Sequence, residues 1–228
     1  MIQQHYTNPT DVSPADIAAI SAATTTIDYA AYTLTHAGII AALIQRARAG
    51  VQIRLYLDRT ELEAEARGNP TLSNSPLGPL LATPNVQTKV KRSSILMHLK
   101  SYLVDGKVLR DGSANFSPLG EDQQDNSMLI TDDPPTVALF VVKFTAMWNR
   151  PDNLTVAQAI ATGSNPATVA HHSPDAAATP KTTMDMSTAL AATRLRSNKR
   201  DLFSQIPAPR GKQPRPTQKA GSSRRVRR

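Results

Sequence analysis

The chain has 228 residues, enough for one ordinary domain with an extension and for a buried core. It contains no cysteine, which excludes a disulfide framework, a thiolate metal site and a cysteine nucleophile. The net charge of +8 is unevenly placed: residues 1–150 hold 13 Lys and Arg against 14 Asp and Glu, whereas residues 151–228 hold 13 against 4. The N-terminal stretch lacks the basic start and apolar run of a secretory signal, and no run of about 18 apolar residues occurs anywhere, so a cytoplasmic protein without a membrane-spanning segment is expected.

In chain order, "SPADIAAISAA" predicts a helix with Ser13 at the N-cap, Pro14 at the first helical position and Asp16 three residues after the cap. "TIDYAAYTL" reads as a buried strand. "THAGIIAALIQRARAG" predicts a helix that buries Ile39, Ile40, Leu43, Ile44 and Ala47 and stops at Gly50, and the alternation in "VQIRLYLD" predicts a strand. A strand, helix and strand so spaced form a crossover unit in a partly parallel sheet. The Pro- and Gly-rich stretch that follows holds a short helix or two. "VQTKVK", "SILMHLKSYLVD" and "KVLRDGSANFS" predict three strands, the last two joined at Asp105-Gly106. "PTVALFVVKFTAMWNR" predicts a closing helix with Val137, Phe140, Val141, Phe144 and Trp148 on its inner face. The expected fold is α/β, a mixed sheet flanked by helices over residues 1–152. Residues 153–228, rich in Ala, Thr, Pro and basic residues, predict a mostly disordered basic tail with a short helix around 184–196.

Within the apolar segment stand His98 and Lys100, followed by Asp105, Gly112, Ser113 and Asn115. Alternation in a strand sends His98 and Lys100 to one face, and a turn at Asp105 gives Ser113 and Asn115 matching parity on the neighbouring strand. An imidazole, an ammonium, a hydroxyl and an amide on one side of a sheet suit a phosphodiester: the imidazole attacks or protonates while Lys and Asn hold the non-bridging oxygens. By composition alone, H-x-K-x(4)-D arises in roughly one such chain in a hundred, and the following G-S-x-N makes the combination far rarer. That rarity outweighs the alternative reading of His98 as a hydrogen-bonded core histidine.

The segment resembles the signature of the phospholipase D superfamily, H-x-K-x(4)-D-x(6)-G-[SG]-x-N, with Phe116-Ser117 as the frequent aromatic and hydroxyl pair. The resemblance covers about residues 15–150 and is nearest to the compact bacterial endonucleases with one motif per chain. It implies that His98 is the nucleophile forming a phosphohistidine, or the acid that protonates the leaving oxygen, with the other role taken by His98 of a second subunit in a homodimer. Lys100 and Asn115 would bind phosphate, Ser113 would assist, and Asp105 would anchor the turn. A downstream Glu that orients the histidine in small nucleases of the family is matched best by Asp125, one methylene shorter; Asp125 either orients His98 or is an ordinary loop acid. Neither cofactor nor metal is implied, and His5 and His36 have no spacing that makes a metal site.

Nucleic acid, DNA or RNA, is the expected substrate and partner of a metal-independent phosphodiesterase. Tail-free binding would rest on a patch such as Lys89, Lys91 and Arg92. Two alternatives stand beside it: a lipid-active hydrolase or transferase using the same chemistry, and a weakly active nucleic-acid-binding or exported effector module. The Arg-rich C-terminus resembles both a nuclear localisation cluster and a type IV secretion signal, and so offers a contact for an import or secretion receptor.

Overall fold

The computed structural model describes residues 1–163. Seven strands alternate with six helices: β1 (Ile2–Tyr6), α1 (Ser13–Ser21), β2 (Thr26–Ala31), α2 (Ala37–Arg48), β3 (Gln52–Leu57), α3 (Arg59–Glu65), α4 (Leu77–Leu81), β4 (Val86–Val90), β5 (Lys100–Val104), β6 (Val108–Gly112), β7 (Ser127–Thr131), α5 (Pro134–Trp148) and α6 (Val156–Gly163). A π-helical turn, Leu119–Gln123, lies between β6 and β7. The strands form one mixed sheet in the order β1-β7-β6-β5-β2-β3-β4. β2, β3 and β4 run parallel, as the crossover pattern requires, and the remaining neighbours are antiparallel.

Alternation along β2, β3 and β5 sends side chains into two cores. Ile27, Tyr29, Ile53, Leu55, Tyr102 and Val104 pack under α1, α2 and α4, whereas Ala30, Tyr56 and Leu103 face α5. α5 buries Val137, Phe140, Phe144, Met147 and Trp148; Val141, expected inside, is 40% exposed because Met147 takes the inner position toward the site end of the helix. α1 begins at Ser13, but Val12 occupies the cap and no side chain caps it. Asp16, placed by the sequence pattern in a capping role, is drawn inward to Arg110 instead. β1 and β7 lack a clean pattern: β1 is an edge strand, largely exposed, and its polar sequence is held by pairing with β7 alone.

Packing against the sheet continues past residue 152. Leu154 exchanges backbone hydrogen bonds of 2.9 Å with Val90 on the edge strand β4, and α6 buries Ala159 against the core. Composition missed this because one leucine and a few small residues complete a strand edge that the rest of the domain leaves open. The basic tail, the helix around 184–196 and the pair His171-His172 lie outside the described residues.

β5 and β6 are joined by a turn whose central residues, Asp105 and Gly106, both have positive φ, 51° and 66°. The Asp105 carboxylate reaches across to the start of β2, accepting from the N–H groups of Thr24, Thr25 and Thr26 at 2.9, 2.8 and 3.0 Å and from the hydroxyls of Thr24 and Thr25. Desolvation acts to raise its pKa, but the hydrogen bonds from Thr26, Thr24 and Thr25 outweigh it and hold the carboxyl well below the usual range.

Leu154→Ala is expected to lower the unfolding free energy by about 2–4 kcal/mol in urea titrations, the cost of a core cavity; no change would show that the segment adds nothing to the domain. Asp105→Asn is expected to cost about 2 kcal/mol at neutral pH, the loss of charge-assisted bonds. Because folding depresses this pKa, the carboxylate's contribution is present above about pH 4 and is lost as pH falls toward the folded value. The gap between variant and wild type should therefore narrow on acidification.

Candidate active site

Lys100 opens β5 at the end of the sheet where β2 and β3 finish, and Asp105 closes the same strand at the opposite end. The K-x(4)-D spacing is thus the length of one strand, and about 16 Å separates the two residues. Asp105 is a structural anchor. His98 lies two residues before the strand, so its direction is set by the loop and not by alternation, and it is exposed.

Tyr32 joins His98 to Lys100. Its ring packs against the imidazole at a centroid distance of 4.6 Å, and Lys100 Nζ stands 4.5 Å over the same ring. Lys100 is 4% exposed, and its ammonium donates to the His98 carbonyl at 2.8 Å. Burial pushes the Lys100 pKa down to about 8; the Asp58 and Glu61 carboxylates oppose that shift and the Arg110 charge adds to it. Asp58 accepts from the Met97 N–H at 2.7 Å while capping α3 through Thr60 and Glu61, which fixes the backbone just before His98.

The second half of the motif leaves the sheet after Gly112. At that residue φ is +150°, and a Cβ would stand 2.2 Å from the Ser127 carbonyl oxygen, so only glycine fits. Ser113 accepts from the Ser127 N–H and donates to Asn126 Oδ1, both at 3.0 Å; its hydroxyl is committed to β7 and the residue before it. Asn115 makes no side-chain hydrogen bond among the described residues, and its Oδ1 is buried without a partner, an amide left with its capacity unused. Gly120 in the π-helical turn lies so close that a Cβ there would be 2.4 Å from the Asn115 carbonyl oxygen. The β2–α2 loop touches both halves: Tyr32 N–H donates to the Leu99 carbonyl, and Thr35 and His36 N–H donate to the Phe116 carbonyl, at 2.8–2.9 Å.

Asp125 does not join this group. Its carboxylate is exposed and accepts from Asn8 Nδ2 at 3.1 Å, and no hydrogen bond connects it to His98 among the described residues. The neighbour, Asn126, is the residue bound to the motif, through Ser113 and through its own donation to the Gly120 carbonyl at 3.1 Å. A one-residue ambiguity in loop length decided between them, and sequence spacing does not resolve it.

Beneath the motif lies an ionic cluster. Arg110, fully buried, places Nε 3.2 Å from Asp16 Oδ1 and Nη2 3.1 Å from Asp16 Oδ2 and 3.3 Å from Glu121 Oε1. Its Nη1 donates to the carbonyls of Lys100 at 2.6 Å and Ala114 at 3.1 Å. Burial, together with the Asp16 charge, pushes Glu121 up to about 9 against the opposing pull of Arg110. Burial and the neighbouring carboxylate thus disfavour the ionised form of Glu121, which shares Arg110 with Asp16. The signal for it was an arginine inside the apolar strand "KVLRD"; its partners, 11 residues ahead and 94 behind, are not visible from spacing.

His98 borders a cleft of about 250 Å³ whose lining includes Lys91, Lys143 and Arg150 and no carboxylate. Burial lowers the Lys91 pKa, and Arg150 and Lys143 lower it further while Asp58 opposes, as expected where like charges crowd. Of the three residues expected to form a basic patch, Lys91 alone lines the cleft: Lys89 donates to the Trp148 carbonyl and lies over its ring, and Arg92 donates to the Asp152 carbonyl. No helix among the described residues is long and apolar enough to cross a membrane, and no three metal-ligating side chains cluster among them.

Residues 17–148 match the profile described as "Cardiolipin synthase, PLD-like domain". Curated relatives include proteins named mitochondrial cardiolipin hydrolase from Xenopus laevis, 27% identical over 129 residues, and Xenopus tropicalis, 31% over 103 residues. These matches cover 57% and 45% of this chain and the same shares of the relatives, so the chain spans about half the length of the curated relatives it matches. Among solved structures, NucT from Helicobacter pylori aligns with a TM-score of 0.56 at 23% identity, over 65% of this chain and 95% of that one. Nuc from Salmonella typhimurium, a phospholipase D family member, aligns at 0.55 and 20% identity, over 68% and 97%. At this identity the two share the fold. With the profile covering more than half of the residues and the motif lying at the end of the matching sheet, the chain belongs to the phospholipase D superfamily of phosphodiesterases, as a member with a cardiolipin-synthase-type PLD-like domain.

Proposed function

We propose that this protein is a metal-independent phosphodiesterase that cleaves nucleic acid through a phosphohistidine at His98. The observation that carries the reading is the exposed His98 at the edge of a cleft lined by three cations and no carboxylate, beside a buried Lys100, with the unpaired Asn115 amide in the second half of the motif. In the reaction His98 forms a bond to phosphorus as the bond to the leaving oxygen breaks; water then displaces the histidine and restores the enzyme. Lys100 neutralises the charge on the non-bridging oxygens and Asn115 donates a hydrogen bond to them. Ser113, tied to Asn126 and Ser127, holds the loop. Asp105 acts in the fold and not in the chemistry. The leaving oxygen needs an acid, and the described chain offers no second histidine beside His98, which supports a homodimer with both His98 side chains in one cleft. Lys91, Lys143 and Arg150 take the phosphates flanking the scissile one.

A second reading is action on an anionic phospholipid. It is favoured by Ile95 and Leu96, 76% and 44% exposed on the loop that follows Lys91 and Arg92, an apolar tip on a basic base. The named activity of the curated relatives points the same way.

Wild type in excess EDTA is expected to cleave single-stranded DNA or RNA, and His98→Ala to reduce the rate by at least about a thousandfold with folding intact. Cleavage of cardiolipin in vesicles with nucleic acids untouched would favour the second reading, and sedimentation of the active form as a monomer would remove the shared site. Lys100 neutralises phosphate only in its ammonium form, so kcat/KM should fall as pH rises through about 8. Lys100→Arg should lower the rate and abolish that alkaline limb, because a guanidinium keeps its charge.

A further inference from the structure

The ladder between β5 and β6 stops before it reaches the candidate site. Its register pairs are Tyr102 with Arg110, Leu103 with Leu109 and Val104 with Val108; beyond them the two backbones no longer pair, and Ser101 Oγ donates to Asp111 Oδ1 at 2.6 Å. Yet the two halves of the motif, Lys100 on one strand and Asn115 past the end of the other, must stand at a defined separation if both are to hold one phosphoryl group. The guanidinium of Arg110 spans the gap. Its single nitrogen Nη1 is shared by the carbonyl of Lys100, at 2.6 Å, and the carbonyl of Ala114, the residue before Asn115, at 3.1 Å.

Nothing about this side chain is left adjustable. A guanidinium has five N–H donors in a fixed plane, and five acceptors surround this one: Asp16 Oδ1 at Nε, the two carbonyls at Nη1, and Asp16 Oδ2 and Glu121 Oε1 at Nη2. The Phe116 ring lies 4.4 Å from its central carbon and closes one face. Asp16 is itself held by the Tyr102 hydroxyl, which donates to Oδ1 at 2.8 Å. Glu121 sits in the π-helical turn whose Gly120 abuts Asn115, so its contact with Arg110 draws that turn against the amide. Asp16 Oδ2 meets only Arg110 Nη2, and Glu121 Oε2 has no hydrogen-bond partner among the described residues.

We propose that Arg110, oriented by Asp16 and Glu121, is a positioning residue of the site: by clipping the Lys100 carbonyl to the Ala114 carbonyl it sets the distance between the two phosphate-binding side chains. Arg110 is fully buried and touches no substrate, and the proposal rests on the reading of Lys100 and Asn115 as phosphate ligands. Lysine cannot take its place, because an ammonium is a point donor and cannot meet two carbonyls and two carboxyls in one plane. Asp16→Asn is milder. It removes the carboxylate charge beside Nε while keeping an amide oxygen that can accept there, and it leaves Glu121 in place.

The test uses the full chain, with inorganic phosphate as the probe, its dissociation constant measured by calorimetry, and bis(p-nitrophenyl) phosphate as a substrate with a single phosphate. Arg110→Lys is expected to weaken phosphate binding at least tenfold and raise KM by a similar factor, and Asp16→Asn to weaken binding about threefold. A purely structural role would shrink the active fraction and kcat but leave the dissociation constant and KM of the folded molecules where they were. Phosphate affinity within twofold of wild type in every variant that folds overturns the proposal. If Arg110→Lys does not fold, as judged by circular dichroism, Asp16→Asn decides. A wild type that binds phosphate but hydrolyses no diester defeats the proposed activity and leaves the affinity comparison to judge Arg110; a wild type that binds no phosphate defeats the inference itself.

Discussion

A guanidinium buried in the middle of a sheet constrains this fold more than any other group. Taking a charge out of water costs several kcal/mol unless every donor is met, so the elements that supply the acceptors around Arg110 are fixed relative to one another. Those elements are α1 through Asp16, β5 through the Lys100 carbonyl, the loop after β6 through Ala114, and the π-helical turn through Glu121. They are also the elements that surround the candidate site. The cluster therefore links the stability of the first helix to the geometry of a loop about a hundred residues later.

The site occupies the end of the sheet where the parallel strands β2 and β3 finish, the common place for ligands in α/β folds. Strand ends there leave backbone groups unpaired, and the β2–α2 loop uses its N–H groups to bind the carbonyls of Leu99 and Phe116 from the two halves of the motif. Tyr32, from the same loop, sits between the imidazole and the ammonium. The outer shell of the site thus comes from a crossover connection that carries none of the signature residues. At the far end of β5, Asp105 performs the complementary task of pinning the hairpin turn to the start of β2.

The comparisons place the domain within a superfamily and leave substrate choice open, and the physical reason is visible in the site. In the proposed reading His98, Lys100 and Asn115 recognise a phosphodiester, which polynucleotides and phospholipids share. Discrimination belongs to the surroundings: the cationic cleft of Lys91, Lys143 and Arg150 on one side, the exposed Ile95 and Leu96 on the rim, and Asp58, Glu61 and Tyr32 lining a second cavity on the other side. These residues come from the β2–α2 loop, α3 and its cap, the loop before β5, and α5 and its end, and none belongs to the motif.

Sequence alone was enough for the signature and for the elements whose periodicity is strong. The motif residues are local, α2 and α5 show helical spacing over several turns, and β2–α2–β3 is a unit that sterics allow to close in one hand. It could not place what depends on separations of many tens of residues: the edge strand β1, the return of Leu154 to β4, the choice of Asn126 over Asp125, and the meeting of Asp16, Arg110 and Glu121. The motif told which atoms could do chemistry because residue type and short spacing are written along the chain. Where those atoms stand was decided by the tertiary fold, because the ladder between β5 and β6 ends short of them and a buried charge, with acceptors drawn from four separate segments, closes the remaining distance.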